Sequence, residues 1–179
     1  NPYWVAKTHK ALEETDVVTA TVIGFPLGAT TTATKVFETE QAIKDGVDEV
    51  DMVMNIGEMK GKNYAKVADD IKTVVKVAHN ANKVAKVIIE TALLTDDEIT
   101  KVSKIVADAG ADFVKTSTGF STRGAAVHDA ELMSAATKET PTEVKASGGI
   151  HTTEEAEAMI NAGATKLGVS HSMQVIGKE

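Results

Sequence analysis

Cysteine is absent from the 179 residues, which excludes disulfides, thiolate metal sites and a cysteine nucleophile. Basic residues are in the minority, with a formal net charge of −7. That balance disfavours generic binding to nucleic acid or an anionic membrane, while a local basic pocket can still hold a small anion. No apolar run approaches the roughly 20 residues of a membrane span. Neither a signal peptide nor a linker-like or low-complexity stretch is visible, so a single domain over residues 1–179 in the cytoplasm is expected. The histidines His9, His79, His128, His151 and His171 show no HxxxH or HxH spacing. No zinc site is therefore expected.

What is present is an ordinary soluble composition, 42% apolar and 25% charged, in a chain long enough for a sizeable core. Short β-branched runs alternate with amphipathic helical patterns. The strand candidates are "VVTATVIGF" (17–25), "EVDMVMN" (49–55), "VAKVIIET" (84–91), "DFVKTS" (112–117), "EVKAS" (143–147) and "TKLGVS" (165–170). Tyr64, Val67, Ile71, Val74, Val75 and Ala78 recur at helical spacing. Capping-box patterns open two later helices, Thr95 with Glu98 and Thr152 with Glu155. Helices near 32–45, 95–109 and 152–162 stop at Gly46, Gly110 and Gly163. The alternation implies parallel strands with crossover helices, an α/β fold.

An echo runs through the chain. "DGVDEVD", "AGADFVK" and "AGATKLG" share the order glycine, small residue, polar residue, strand. Five residues beyond each glycine stand Asp51, Lys115 and Gly168, and equal offsets imply one face and similar height. In a barrel of parallel strands that face points inward and the strand C-termini form the active-site rim. The plainer alternative is an ordinary α/β repeat with charges at strand ends by chance.

Lys115 ends one apolar run and Lys145 ends another. A single such lysine reads better as an ion pair or an anion ligand. Two of them with an aspartate are a different case: a neighbouring cation and partial desolvation favour the neutral amine, which can attack a carbonyl and form a Schiff base. Asp51 can then move protons, through water if need be. Downstream, "SGGI" (147–150) leads into a helix near Thr152, and "GVSHS" (168–172) adds Gly168, Ser170 and Ser172. Backbone N–H groups in such small-residue turns suit phosphate, and the loops after strands seven and eight are the usual phosphate site of eight-stranded barrels. Glu49 reads as structural, Glu90 and Thr91 as possible pocket lining, and Tyr3 and Trp4 as core or interface residues.

At these residues the chain resembles the deoxyribose-phosphate aldolase family. The resemblance is carried by "VIGFPLG" (22–28), "DEVDMVMNIG" (48–57), "KVIIETALLT" (86–95), "GADFVKTSTGF" (110–120), "VKASGGI" (144–150) and "LGVS" (167–170), in order over nearly the whole chain. It implies a TIM-barrel fold and a class I aldolase. Lys115 would be the Schiff-base lysine, Lys145 the lysine that lowers its pKa, and Asp51 the proton-relay carboxylate. Thr118 would sit beside the Schiff base, and Gly119, Gly148, Gly149, Gly168 and Ser170 would hold the 5-phosphate. The implied reaction is reversible cleavage of 2-deoxy-D-ribose 5-phosphate into acetaldehyde and D-glyceraldehyde 3-phosphate, in deoxyribose phosphate and nucleotide catabolism, without a cofactor.

The chain departs from the family pattern in two places. His171 stands where the family continues with serine or glycine. Family members also carry a helix and two strands before the segment resembling "NPYWV", so about six of eight strands are expected. Open strand edges invite pairing with another chain, and a homo-oligomer, a dimer, is expected. Two other readings remain open here. One is a Schiff-base aldolase for a related phosphorylated sugar, and the other is an inactive phosphosugar-binding or assembly protein.

Overall fold

The computed structural model describes residues 1–178. Strands form at all six expected runs, and the described chain divides into two compact units: Asn1–Val87 with Ala109–Asp112, and Ile88–Asp108 with the chain from Phe113 onward.

The first unit holds α1 (Val5–Leu12), β1 (Ala20–Ile23), α2 (Thr32–Lys44), β2 (Glu49–Val53), α3 (Ile56–Lys60), α4 (Tyr64–Asn80) and most of β3 (Val84–Ile88). β1 runs parallel to β2, with Val22 opposite Asp51. The strand starts later than its β-branched run because the Asp48 side chain accepts from the Thr19 N–H at 2.9 Å. Val17 and Val18, ahead of that bond, are exposed. The Thr19 N–H, with Lys83 adding its charge, holds the Asp48 carboxyl below the usual carboxylate range. α4 buries Val67, Ile71, Val74, Val75 and Ala78, the face that the helical spacing marks. It also buries Asp70, which takes the ammonium of fully buried Lys35 at 2.6 Å. Lys35 donates as well to the Val53 carbonyl at 2.9 Å, tying α2 to the end of β2. Tyr3 and Trp4 lie outside the core, exposed and edge-on to each other.

The second unit holds α5 (Asp96–Asp108), β4 (Phe113–Lys115), α6 (Val127–Thr137), β5 (Glu143–Ser147), α7 (Thr153–Asn161), β6 (Lys166–Gly168) and α8 (Ser172–Val175). β4, β5 and β6 lie side by side in parallel. Val114, Val144 and Ala146 are buried together with Ile99, Val102 and Val106 of α5 and Ala130 and Met133 of α6. The helix α6 has no counterpart in the sequence pattern. Its "VHDAELMSAAT" spreads small and apolar residues around the whole circumference, so no stripe stands out.

Helix ends follow their expected chemistry. Gly46, Gly110 and Gly163 all take positive φ just past their helices, and the reciprocal capping bonds form at Thr95/Glu98 and at Thr152/Glu155. Glu155 accepts from the His151 and Thr152 N–H groups, which together hold its carboxyl below the ordinary value of 4.5. A lowered carboxylate contributes stability that is present above its unfolded value and lost as pH falls through the folded one. Glu155→Gln is therefore expected to melt earlier than wild type at neutral pH, with the gap closing as the buffer is taken below 4.5. Thermal melts followed by circular dichroism across that range check it. A constant gap would assign the difference to shape instead of charge.

Candidate active site

Register, not sequence distance, brings the two lysines together. Lys115 on β4 lies directly opposite Lys145 on β5, and Lys145 lies opposite Lys166 on β6. Adjacent strands are about 4.8 Å apart and in-register neighbours share a face, so three lysines line up across one surface of this unit. Lys115 and Lys145 are half-buried. Lys166 leans back over the Phe113 ring at 5.2 Å.

For Lys115 and Gly168 the equal-offset rule gets the face right and the height wrong. Gly168 pairs with Ser147, one pleat beyond the level of Lys145, because strands of a barrel-type sheet are staggered. A Cβ at Gly168 would lie 2.7 Å from that of Ser147 and 3.5 Å from the Lys145 Cε. A glycine there keeps the space above Lys145 clear.

A braid of hydroxyls fixes the two strand ends. The Thr116 N–H donates to the Lys145 carbonyl at 3.0 Å. The Ser147 N–H donates to the Thr116 hydroxyl at 3.0 Å, and the Ser147 hydroxyl to the Ser117 carbonyl at 2.8 Å. Thr116, Ser117 and Ser147 are all buried, so these bonds are shielded from water and hold the lysines' backbone rigidly. On the other side of β4, the Ile89 and Thr91 N–H groups donate to the Lys115 and Thr116 carbonyls, both at 2.9 Å.

The loop after β4 packs backbone to backbone on the loop after β5. A Cβ on Gly124 would sit 2.1 Å from the Gly148 carbonyl oxygen, and the Ala125 N–H donates to that oxygen at 3.0 Å. Arg123 pins the loop with a two-pronged grip on buried Asp129, at 2.5 and 3.2 Å. Gly119 and Gly149 are exposed with positive φ. Thr118 bonds to Glu90 through its N–H and its hydroxyl. Beyond β6, the Ser170 hydroxyl and the His171 imidazole are 3.1 Å apart. The His171 and His151 rings meet Nδ1 to Nδ1 at 3.2 Å, joining the "SGGIH" and "GVSHS" loops. Thus Lys115, Lys145, Thr118, Gly119, Gly148, Gly149, Gly168 and Ser170 all belong to the second unit.

Asp51 belongs to the first. It is buried, and the fully buried Lys86 ammonium stands 2.7 Å from it and 2.7 Å from Glu49. One cation thus serves two carboxylates on alternate residues of β2. The sequence reading missed Lys86, which lies inside the apolar run "VAKVII" and does not end it as Lys115 and Lys145 end theirs.

Parallel β/α units carrying a row of lysines at adjacent strand ends define an enzyme of the TIM-barrel class, here with six parallel strands. A family model described as DeoC/LacD family aldolase matches residues 1–177, and the chain belongs to that family. It is 68% identical to a deoxyribose-phosphate aldolase of Lactiplantibacillus plantarum, over 99% of this chain and 82% of that protein. Against the namesake of Clostridium botulinum the identity is 52%, over 98% and 82% of the two chains. Among solved structures, the tetrameric deoxyribose phosphate aldolase of Aeropyrum pernix superposes with a TM-score of 0.91 at 31% identity, covering 99% of this chain and 74% of that one.

Proposed function

We propose that the chain is a class I deoxyribose-phosphate aldolase with Lys115 as its nucleophile. The observation that carries this is the in-register Lys115–Lys145 pair in a chain 68% identical to an enzyme of that name. In the cleavage direction the neutral Lys115 amine adds to the C1 aldehyde of open-chain 2-deoxyribose 5-phosphate. The carbinolamine loses water to give an iminium. The C3 hydroxyl gives up its proton, the C2–C3 bond breaks, and its electron pair passes into the iminium to form an enamine. D-glyceraldehyde 3-phosphate leaves. Protonation at C2 and hydrolysis release acetaldehyde and restore the amine. Asp51, oriented by Lys86, is assigned the proton transfers. Gly119, Gly148, Gly149, Gly168 and Ser170 are assigned to the phosphate, and Thr118 to the Schiff base.

Lys145 stands in register beside the proposed nucleophile. Lys145→Leu is expected to slow both turnover and borohydride trapping of acetaldehyde. Turnover and trapping at the wild-type rate would remove Lys145 from the site.

The reading is tested with acetaldehyde and borohydride, followed by mass mapping, beside an assay of deoxyribose phosphate cleavage. Mass added at Lys115 together with cleavage supports it. Binding of the phosphosugar with neither adduct nor cleavage overturns it in favour of a binding protein. We further assign a homo-oligomer, a dimer, and a cytoplasmic location. The tetrameric relative supports assembly, and light scattering gives the number of copies. Among the described residues no helix is long and apolar enough to cross a membrane.

A further inference from the structure

Local folding gives no reason for a glutamate at position 90. The residue follows β3 with φ 53 and ψ 65, a left-handed conformation that disfavours every residue with a Cβ except, mildly, asparagine and aspartate. Its side chain is nevertheless drawn inside, leaving the residue 3% exposed. The neighbours on both sides are pinned to the nucleophile's own strand, the Ile89 N–H to the Lys115 carbonyl and the Thr91 N–H to the Thr116 carbonyl. A residue in poor backbone geometry, held by bonds on both flanks, marks a position kept for its side chain.

That side chain has one partner among the bonds described, Thr118. The Thr118 N–H points at both carboxylate oxygens, at 3.4 and 3.3 Å, and the Thr118 hydroxyl donates to Oε2. The hydroxyl oxygen also accepts from the Phe120 N–H at 3.0 Å. A carboxylate only accepts, and a hydroxyl has one proton and two lone pairs. With the proton committed to Glu90 and one lone pair to Phe120, Thr118 can offer a further group only its second lone pair.

We propose that Glu90 is a positioning residue that sets the Thr118 hydroxyl as a hydrogen-bond acceptor for the N–H of the protonated Schiff base on Lys115. This rests on the function proposed above and extends it. The negative charge behind Thr118 makes its oxygen a better acceptor for a cation, so the pair stabilises the iminium more than the free amine. A glutamine at 90 offers N–H donors of its own. The Thr118 proton is then free to turn toward the iminium, where it repels.

The test is a double-mutant cycle of Glu90→Gln and Thr118→Val, read by kcat, KM and the rate of borohydride trapping of acetaldehyde. Each single variant is expected to lower kcat and trapping on the order of ten-fold, as for one hydrogen bond to a charged group, with KM within about two-fold of wild type. The double variant is expected to be no slower than the slower single one, because residues acting through one contact do not add. Losses that multiply, or a rise in KM at unchanged kcat, overturn the proposal. If Glu90→Gln does not fold, Thr118→Val decides, since it keeps the shape and removes the hydroxyl; normal trapping in that variant overturns the proposal. Wild type that traps nothing overturns the aldolase reading and this role with it, whereas wild-type trapping with multiplicative losses overturns this role alone.

Discussion

Lys115→Ala is expected to abolish both the borohydride-trapped adduct with acetaldehyde and the cleavage of deoxyribose phosphate, by a factor on the order of 10^4 or more, as for loss of a covalent nucleophile. The substitution is a clean probe because β4 is held by its backbone. The Lys115 carbonyl takes the Ile89 N–H and the next carbonyl takes the Thr91 N–H, at 2.9 Å each, and neither bond involves the lysine side chain. Circular dichroism should therefore match wild type. The stringent part of the prediction concerns Lys145, the in-register neighbour. An amine one strand away is the natural substitute nucleophile. It is expected to stay unmodified, because Thr118, with its hydroxyl set by Glu90, stands three residues along the chain from Lys115 and would serve an adduct on that amine only. Peptide mapping separates the two sites. An adduct at Lys145 forming at the wild-type rate would show that the pair is interchangeable and that position 115 has no special role.

How far the sequence carries this picture depends on the range of each interaction. All six strands and the candidate lysines Lys115 and Lys145 are legible because a lysine closing a β-branched run violates the burial pattern locally, within a few residues. Helix caps are equally local, and Thr152 with Glu155 forms the bonds that its spacing announces. Strand stagger is not local. Placing Gly168 level with Lys115 needs the relative shift of β5 and β6, which no residue count supplies. Lys35 was invisible for a related reason: within "TATKVFE" it reads as a solvent-facing helix residue, and only the packing of α2 on α4 reveals Asp70 as its partner. Glu90 reads as the polar end of a strand. Its left-handed backbone and its grip on Thr118 require the loop after β4 to fold back, a contact 28 residues away in the chain. Lys86 is the instructive omission: it sits inside "VAKVII" and closes no run, so the pattern that marks Lys115 does not mark it.

Lys86→Met carries the largest expected effect on stability. The ammonium is wholly buried and stands 2.7 Å from both the Glu49 and the Asp51 carboxylates. Methionine fills nearly the same volume, so packing is preserved and charge alone is removed. Two carboxylates on one face of β2 then lose the cation that stands 2.7 Å from each of them. Breaking a buried pair by removing one partner costs about 3–5 kcal/mol, a large share of the ~5–15 kcal/mol that holds a domain folded. For a chain of this length that corresponds to a fall in Tm of about 6–20 °C. The sign with pH follows from which species is penalised. The variant's burden is carboxylate charge, so protonation relieves it, whereas wild type loses its ion pairs in the same acid; the gap between the two narrows as pH falls. Removing one of the charges should act like acid. Glu49→Gln in the Lys86→Met background is expected to recover part of the lost stability at neutral pH, although Glu49→Gln in wild type, where it breaks a pair, lowers it. That reversal of sign is the decisive measurement. If Glu49→Gln destabilises both backgrounds equally, Glu49 and Lys86 act independently and the shared-cation picture of Asp51 is wrong.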